Sequence, residues 1–251
     1  MPDFAGANIL ITGAASGIGA ATATLLAGRA VKKLILVDID EDRLRDFAFS
    51  LPCERQIIIG DVGDEGLWAK ADLTGIDHAI INAGIAAGAS PIVETSFAEW
   101  RRVMSVNLDS AFLSLQAVMK AIAPGGAIVL TGSVAGIKAT AGTCAYAASK
   151  AAIIQLARVA AKEGAPRGIR VNAIAPGGVR TPIWNEVPSF RALSDVQGED
   201  AAFEAFATGM GTPLGRFAMP EEIGEQILFL LSKRAAFITG TCLVSDGGYS
   251  L

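Results

Sequence analysis

Seven short apolar runs recur along the chain: "NILIT" (8–12), "KLILVD" (33–38), "RQIIIGD" (55–61), "DHAIINAG" (77–84), "GAIVLTGS" (126–133), "IRVNAIAPG" (169–177) and "TCLVSDGG" (241–248). Gly, Asp, Asn or Ser closes each run, and the apolar positions at their centres are continuous rather than alternating. Strands of that kind suit a parallel sheet covered on both faces. Helix-like segments lie between them, at about 17–29, 41–49, 64–70, 96–123, 145–164 and 220–232. Strand and helix alternate without a Ser-, Pro- or Gly-rich linker. This predicts an α/β fold, with one doubly wound parallel sheet of about seven strands in three α/β/α layers and residues 1–251 as a single domain.

One stretch breaks the rhythm. Residues 178–219 follow a strand end and carry Trp184, Phe190, Phe203, Phe206 and Met210 among mixed charges. Connections of that length in a compact domain serve as lids or binding loops. The alternative is a pair of amphipathic helices packed on the body for stability alone.

Charge narrows the partners. Lys and Arg number 21 against 25 Asp and Glu, a formal charge of −4 with no basic run, so the long-range field offers nucleic acid no footing. The three cysteines, Cys53, Cys144 and Cys242, are widely spaced and form no CxxC or Cys/His cluster. That argues against a disulfide framework and against a metal site. The opening "MPDFAGAN" has an acid at position 3 and no basic region, unlike a secretory signal. Residues 8–28 are uncharged and long enough to span a bilayer, but Gly13, Gly17, Gly19 and several hydroxyls divide them into a buried strand, a glycine loop and a buried helix. A cytoplasmic protein without a membrane segment, partnered by small molecules, is the expectation.

"TGAASGIG", Thr12 to Gly19, follows the first strand directly and opens a helix. In that setting a glycine loop binds phosphate, because backbone N–H groups and the helix N-terminus face the anion and the missing Cβ atoms let it come close. No lysine stands in the loop, so it is not a Walker triphosphate site. Asp38 ends the second strand, nineteen residues after Gly19. An acid there can accept hydrogen bonds from both adenosine ribose hydroxyls and repel a 2′-phosphate, which favours NAD over NADP. Lys32 and Lys33 lie at the other end of that strand, roughly 16 Å away by strand rise.

His78 is the only histidine and no GxSxG elbow exists, so a serine-hydrolase triad is excluded; His78 reads as a surface or strand-edge residue. In "YAASK", Tyr146 and Lys150 are four apart and share one helix face. With charges ~5 Å apart at an effective dielectric of ~20, the lysine would favour the phenolate by about 3 kcal/mol, or roughly two pKa units. A phenol so lowered is within reach of acid–base work near neutral pH.

With the glycine loop, the strand-end Asp38 and the Ser133, Tyr146, Lys150 spacing in place, the chain from Asn8 to Gly248 resembles the short-chain dehydrogenase/reductase family, in its branch of about 250-residue single domains with a Rossmann-like sheet. The resemblance implies that Gly13, Ser16, Gly17, Ile18 and Gly19 hold the cofactor, with Asp61 and Val62 beside the adenine ring and Asn82, Ala83 and Gly84 closing the fourth strand next to it. Pro176, Gly177, Val179 and Thr181, in "APGGVRTP", would contact its nicotinamide side. It implies a catalytic set of Ser133, Tyr146, Lys150 and Asn107. Tyr146 is then the general acid/base, Ser133 orients the carbonyl oxygen, Lys150 lowers the tyrosine pKa and holds the ribose, and Asn107 holds a water against Lys150. Two departures stand out: Ile81 replaces the first Asn of the family's NNAG, and the segment from Asp61 to Asn82 is short, so its helix should be stunted.

The activity so implied is reversible hydride transfer between NAD(H) and a secondary alcohol or its ketone, with an apolar or aromatic small molecule suggested by Trp184, Phe190, Phe206 and Met210. Two alternatives share the fold: a non-catalytic regulator sensing NAD redox state, and a 3-oxoacyl-type reductase, which the few basic residues near the site (Lys138, Arg180, Arg191) disfavour. Residues 134–145 read as a flexible, substrate-facing loop, with Cys144 a small core residue. Apolar surface on 96–123 and 145–164 points to helix pairing between subunits, in a homotetramer or homodimer.

Overall fold

The computed structural model describes residues 3–251; Met1 and Pro2, included in the 1–251 expectation, lie outside them. Seven strands, β1 (Asn8–Thr12), β2 (Lys33–Asp38), β3 (Glu54–Ile59), β4 (His78–Ile81), β5 (Ala127–Thr131), β6 (Arg170–Pro176) and β7 (Cys242–Ser245), form one sheet in the order β3-β2-β1-β4-β5-β6-β7. Every pairing is parallel, with Asn8 beside Lys33 and His78 beside Ala127. The helices are α1 (Gly17–Ala27), α2 (Glu41–Phe49), α3 (Glu65–Lys70), α4 (Phe97–Met104), α5 (Ser110–Ala121), α6 (Cys144–Gly164), α7 (Pro188–Gln197), α8 (Glu199–Gly209) and α9 (Pro220–Leu231).

The continuous apolar runs have a direct cause. Successive side chains of a strand point to opposite faces, and here both faces are buried. Ile9, Ile11, Leu34 and Leu36 pack under Leu26, Leu44 and Ile227 of α1, α2 and α9. Leu10, Ile35, Ala79 and Ile128 pack on the other side against Leu115 and Val118 of α5 and Ile153 and Ala157 of α6. Helix starts follow local chemistry. Asp40 accepts from the Arg43 N–H at 3.1 Å and Ser96 from the Glu99 N–H at 3.1 Å, while Pro220 opens α9 and Glu222 accepts the Met219 N–H at 2.8 Å.

One expectation changes. The helix expected over 96–123 starts at Phe97 and is interrupted by a π-helical turn at Ser105–Asp109 before continuing as α5; no Gly or Pro announces it. His78 is half-buried rather than a surface residue, and it stands at the strand's edge as expected. It begins a central strand, its Nδ1 accepts the Ala127 N–H at 3.1 Å, and its ring meets Phe4 edge-on at 5.9 Å. Burial lowers its pKa to about 4. The short helix after Asp61 is as stunted as expected: α3 has six residues and buries none of them. Among the described residues, no helix is long and apolar enough to cross a membrane.

Candidate active site

Strand order reverses between β1 and β4, and in open α/β sheets the crevice at the carboxyl ends beside such a switch point is where ligands bind. The glycine loop lies there. Gly13 and Gly17 adopt positive φ, +65° and +53°, and each is closely covered: a Cβ on Gly13 would come 2.9 Å from Ala83 Cα, and one on Gly17 3.2 Å from Thr181 Cγ2. A Cβ on Gly19 would run into the Gly13 carbonyl oxygen. Asn82 Nδ2 donates to the carbonyls of Gly13 and Thr12 at 3.2 and 3.3 Å, and Thr12 Oγ1 accepts the N–H groups of Asn82 (2.9 Å) and Ala83 (3.2 Å). Strand β4 and the loop are thus sewn together by two side chains. Thr12 carries a positioning role that the motif's glycines concealed.

At the N-terminus of α1, Ser16 makes no side-chain cap and the first turn holds no acid, so its N–H groups are free for an anion. Ile18 packs against the core below. Asp38 already accepts two backbone N–H groups, from Ala15 to Oδ2 at 2.9 Å and from Asp40 to Oδ1 at 3.0 Å. One lone pair per oxygen remains, so Asp38 fixes the loop and can still receive ribose hydroxyls. Asp61 closes a turn onto the Gly63 N–H at 2.8 Å, and Val62 is buried, with its carbonyl held by Trp68. On the far side, the Gly177 N–H donates to Ser245 at 2.9 Å just past Pro176, Val179 is buried, and Thr181 sits over Gly17.

Ser133, Tyr146 and Lys150 come together from β5 and α6. Ser133 Oγ accepts the Ala135 N–H at 3.2 Å, which caps a 3-10 turn at Val134–Gly136, and this turn packs so closely on α6 that a Cβ on Gly136 would lie 2.7 Å from Ala151 N. Lys150 Nζ lies 5.6 Å from the centre of the Tyr146 ring. The Lys150 side chain is 4% exposed, yet its ammonium makes one hydrogen bond, to the Thr131 carbonyl at 3.3 Å. A buried group with three donors and one partner beside a cradle of glycines fits a dinucleotide bearing ribose hydroxyls.

The electrostatics of the pair are set chiefly by burial. Burial raises the Tyr146 phenol above its usual pKa, the Ser133 hydroxyl opposes this, and the Glu186 carboxylate adds to it. Burial also lowers Lys150 to about 8. Desolvation is the largest cause in each, favouring the neutral form of both groups.

Asn107 is fixed by three hydrogen bonds. Its Oδ1 accepts the Ile85 N–H at 2.8 Å, and its Nδ2 donates to the Ile85 carbonyl at 3.1 Å and to Ser149 Oγ at 3.3 Å. The side chain ties the loop after β4 to α6, and one lone pair of Oδ1 remains open. The π-helical turn is what brings this fully buried residue to that position. Ser149, in turn, donates to the Tyr146 carbonyl at 2.7 Å.

Residues 178–219 form a 3-10 turn at Pro182–Glu186 followed by α7 and α8. The aromatic residues expected to meet a ligand pack on one another instead. Trp184 stacks on Phe217 at 5.0 Å and meets Phe206 at 5.6 Å, Phe190 lies 4.7 Å from Phe203 and is fully buried, and Met210 packs at the cluster's margin. Arg180 is engaged by Asp200 and lies over Phe203. The loop after Gly136 is tied down rather than free. Lys138 donates to the Tyr249 carbonyl and lies 4.1 Å over its ring, the Ser90 N–H donates to Gly142 at 2.9 Å, and Cys144 Sγ meets Thr95 Oγ1 at 3.5 Å. Opposite it, Glu186 Oε2 accepts the Ala86 N–H at 3.1 Å across the cleft. Sequence reasoning missed Thr12, Ser149 and Glu186; the first two lie inside motifs read for their neighbours, and nothing in "TPIWNEV" marks the third.

Comparison with known proteins agrees with this geometry. Residues 13–250 match the family model described as enoyl-(acyl carrier protein) reductase. The chain is 36% identical to the cis-4-hydroxycyclohexanecarboxylate dehydrogenase of Sinomonas cyclohexanicum over 98% of each chain. It is 34% identical to a short-chain dehydrogenase/reductase of Botryotinia fuckeliana (strain B05.10), over 98% of this chain and 97% of the other. The crystal structure of levodione reductase superposes with a TM-score of 0.88 at 35% identity, covering 98% of both chains.

Proposed function

The chain belongs to the short-chain dehydrogenase/reductase family, and from that premise we propose that it catalyses reversible hydride transfer between NAD(H) and a secondary alcohol or its ketone. The observation that carries the reading is the under-bonded, buried Lys150 ammonium beside Tyr146 and Ser133, at the crevice roofed by the glycine loop. The glycine loop, Asp38, Asn82 and Lys150 would hold the dinucleotide, with Val62 beside its adenine and Thr181 toward its nicotinamide. When bound, the cofactor supplies the hydride chemistry.

The chain's own residues handle the proton. In reduction, the Tyr146 hydroxyl donates to the carbonyl oxygen and Ser133 orients that oxygen by a second hydrogen bond. Lys150 opposes the burial that keeps the phenol protonated, and the open lone pair of Asn107 Oδ1 would hold a water against it. The preference for NAD rests on Asp38 together with Asp40, Glu41 and Asp42 at the start of α2, an acidic setting for a 2′-phosphate.

Residues 178–219 act as the substrate segment of a single domain, and the wide spacing of Cys53, Cys144 and Cys242, without a paired pattern, suits the cytoplasm. Phe112 on α5 and Val159 on α6 are 47% and 44% exposed, which supports pairing of these helices in a homotetramer; sedimentation as a monomer at micromolar concentration removes that part of the reading. Tyr146→Phe tests the whole. NADH binding is retained and turnover of secondary alcohols is lost, and an active variant overturns the assignment.

A further inference from the structure

Thr181 stands over Gly17, and five residues later Glu186 bonds to Ala86, two residues past Gly84. A Cβ on Gly84 would lie 3.3 Å from Lys150 Nζ. The 3-10 turn at Pro182–Glu186 therefore spans from the glycine loop to the loop after β4, whose Gly84 lies beside Lys150 of the Tyr146–Lys150 pair. Glu186 is close enough to the Tyr146 phenol to act on its ionisation. Only Oε2 is engaged; among the described residues Oε1 accepts no hydrogen bond and the carboxylate has no ion pair. Arg102, the cation that feels it, is committed to Glu99 through two bonds of 2.8 and 2.9 Å. No site residue given by the family resemblance includes Glu186.

We propose that Glu186 selects the substrate: its free carboxylate oxygen accepts a hydrogen bond from a second hydroxyl on the alcohol, so the site prefers neutral diols and hydroxy-ketones and rejects alcohols that carry a carboxylate. A hydroxyl satisfies the acceptor, whereas an anion meets like charge in a partly desolvated space. This rests on the proposed dehydrogenase reading.

The test compares kcat/KM for cyclohexane-1,4-diol, cyclohexanol and 4-hydroxycyclohexanecarboxylate with NAD+, in the wild type, Glu186→Gln and Glu186→Ala. The wild type should favour the diol over the carboxylate by about tenfold or more. Glu186→Gln should narrow that ratio about tenfold by raising the carboxylate, and Glu186→Ala should abolish the diol's advantage over cyclohexanol, with the KM for NAD+ within about twofold of wild type. Equal loss on all three substrates makes Glu186 a mere tether for Ala86 and overturns the inference, as does an unchanged ratio. No wild-type turnover with any secondary alcohol, including those outside this set, overturns the dehydrogenase reading and this inference with it.

Discussion

On the glycine-loop side of the cleft, backbone is placed against backbone. Gly13, Gly17 and Gly19 have no room for a Cβ, and Thr12, Asn82 and Asp38 hold the loop through main-chain atoms. On the other side, residues 178–219 carry a small aromatic core of their own, separate from the two cores that sandwich the sheet. Binding of a constant ligand calls for the first construction, since its atoms must be met at fixed positions. Recognition of a variable substrate suits the second, where a self-packed unit presents changeable residues such as Glu186 without disturbing the sheet.

The contrast can be broken at several points. The largest effect is expected from Gly19→Ala, whose Cβ overlaps the Gly13 carbonyl; NADH affinity, followed by fluorescence, should fall by about 100-fold or more. Wild-type binding would mean the loop yields. Next, Phe190→Ala empties a fully buried position and should cost about 3–5 kcal/mol, with amide hydrogen-exchange protection lost across α7 and α8 and NADH affinity retained. Equal loss of NADH binding would deny the segment its independence.

The sheet itself has an acid limit. His78 is depressed to about 4 in the fold against an unfolded value of about 6.5. The unfolded chain therefore binds the extra proton first, and stability that is complete above pH ~6.5 declines as pH falls toward ~4, by about 3 kcal/mol. Denaturant titrations from pH 7 to 4 should show this slope, and His78→Gln should flatten it. The smallest effect is expected from Thr12→Val, which leaves the Asn82 and Ala83 N–H groups without an acceptor. That should cost about 2 kcal/mol and raise the KM for NAD+ about tenfold while sparing kcat; a fall in kcat alone would mean Thr12 serves the chemistry and not the loop.

How far the sequence could be read depended on which atoms carry each feature. Strands with both faces buried appear as apolar runs, so β1 to β7 were legible to within a few residues, and the glycine loop announced itself through absent side chains. Asn107 and Asp38 were found, but their partners were not, because a side-chain bond to a distant backbone N–H leaves no trace in spacing. The π-helical turn at Ser105–Asp109 is invisible for a related reason: no Gly or Pro marks it, and the bonds that its Asn107 makes to Ile85 span 22 residues. The aromatic residues of 178–219 misled because a ligand-lining ring and a core ring look alike in sequence. The closeness of Tyr146 and Lys150 was legible from their spacing on α6, whereas their burial was not, since spacing gives a distance and says nothing of desolvation.

The six-residue α3 has a consequence at the far margin of the molecule. It leaves β3, an outermost strand, beside a cavity of about 490 Å³ lined by Ile57, Ile59 and Leu67, so the strand's apolar face and open ladder are shielded mainly by charge. Glu54 and Arg55 stand exposed at its start, with Lys70 and Asp72 at the cavity. Charges at an open strand edge disfavour edge-to-edge association, and these four residues set such charges along β3, far from the cleft that holds Tyr146 and Lys150.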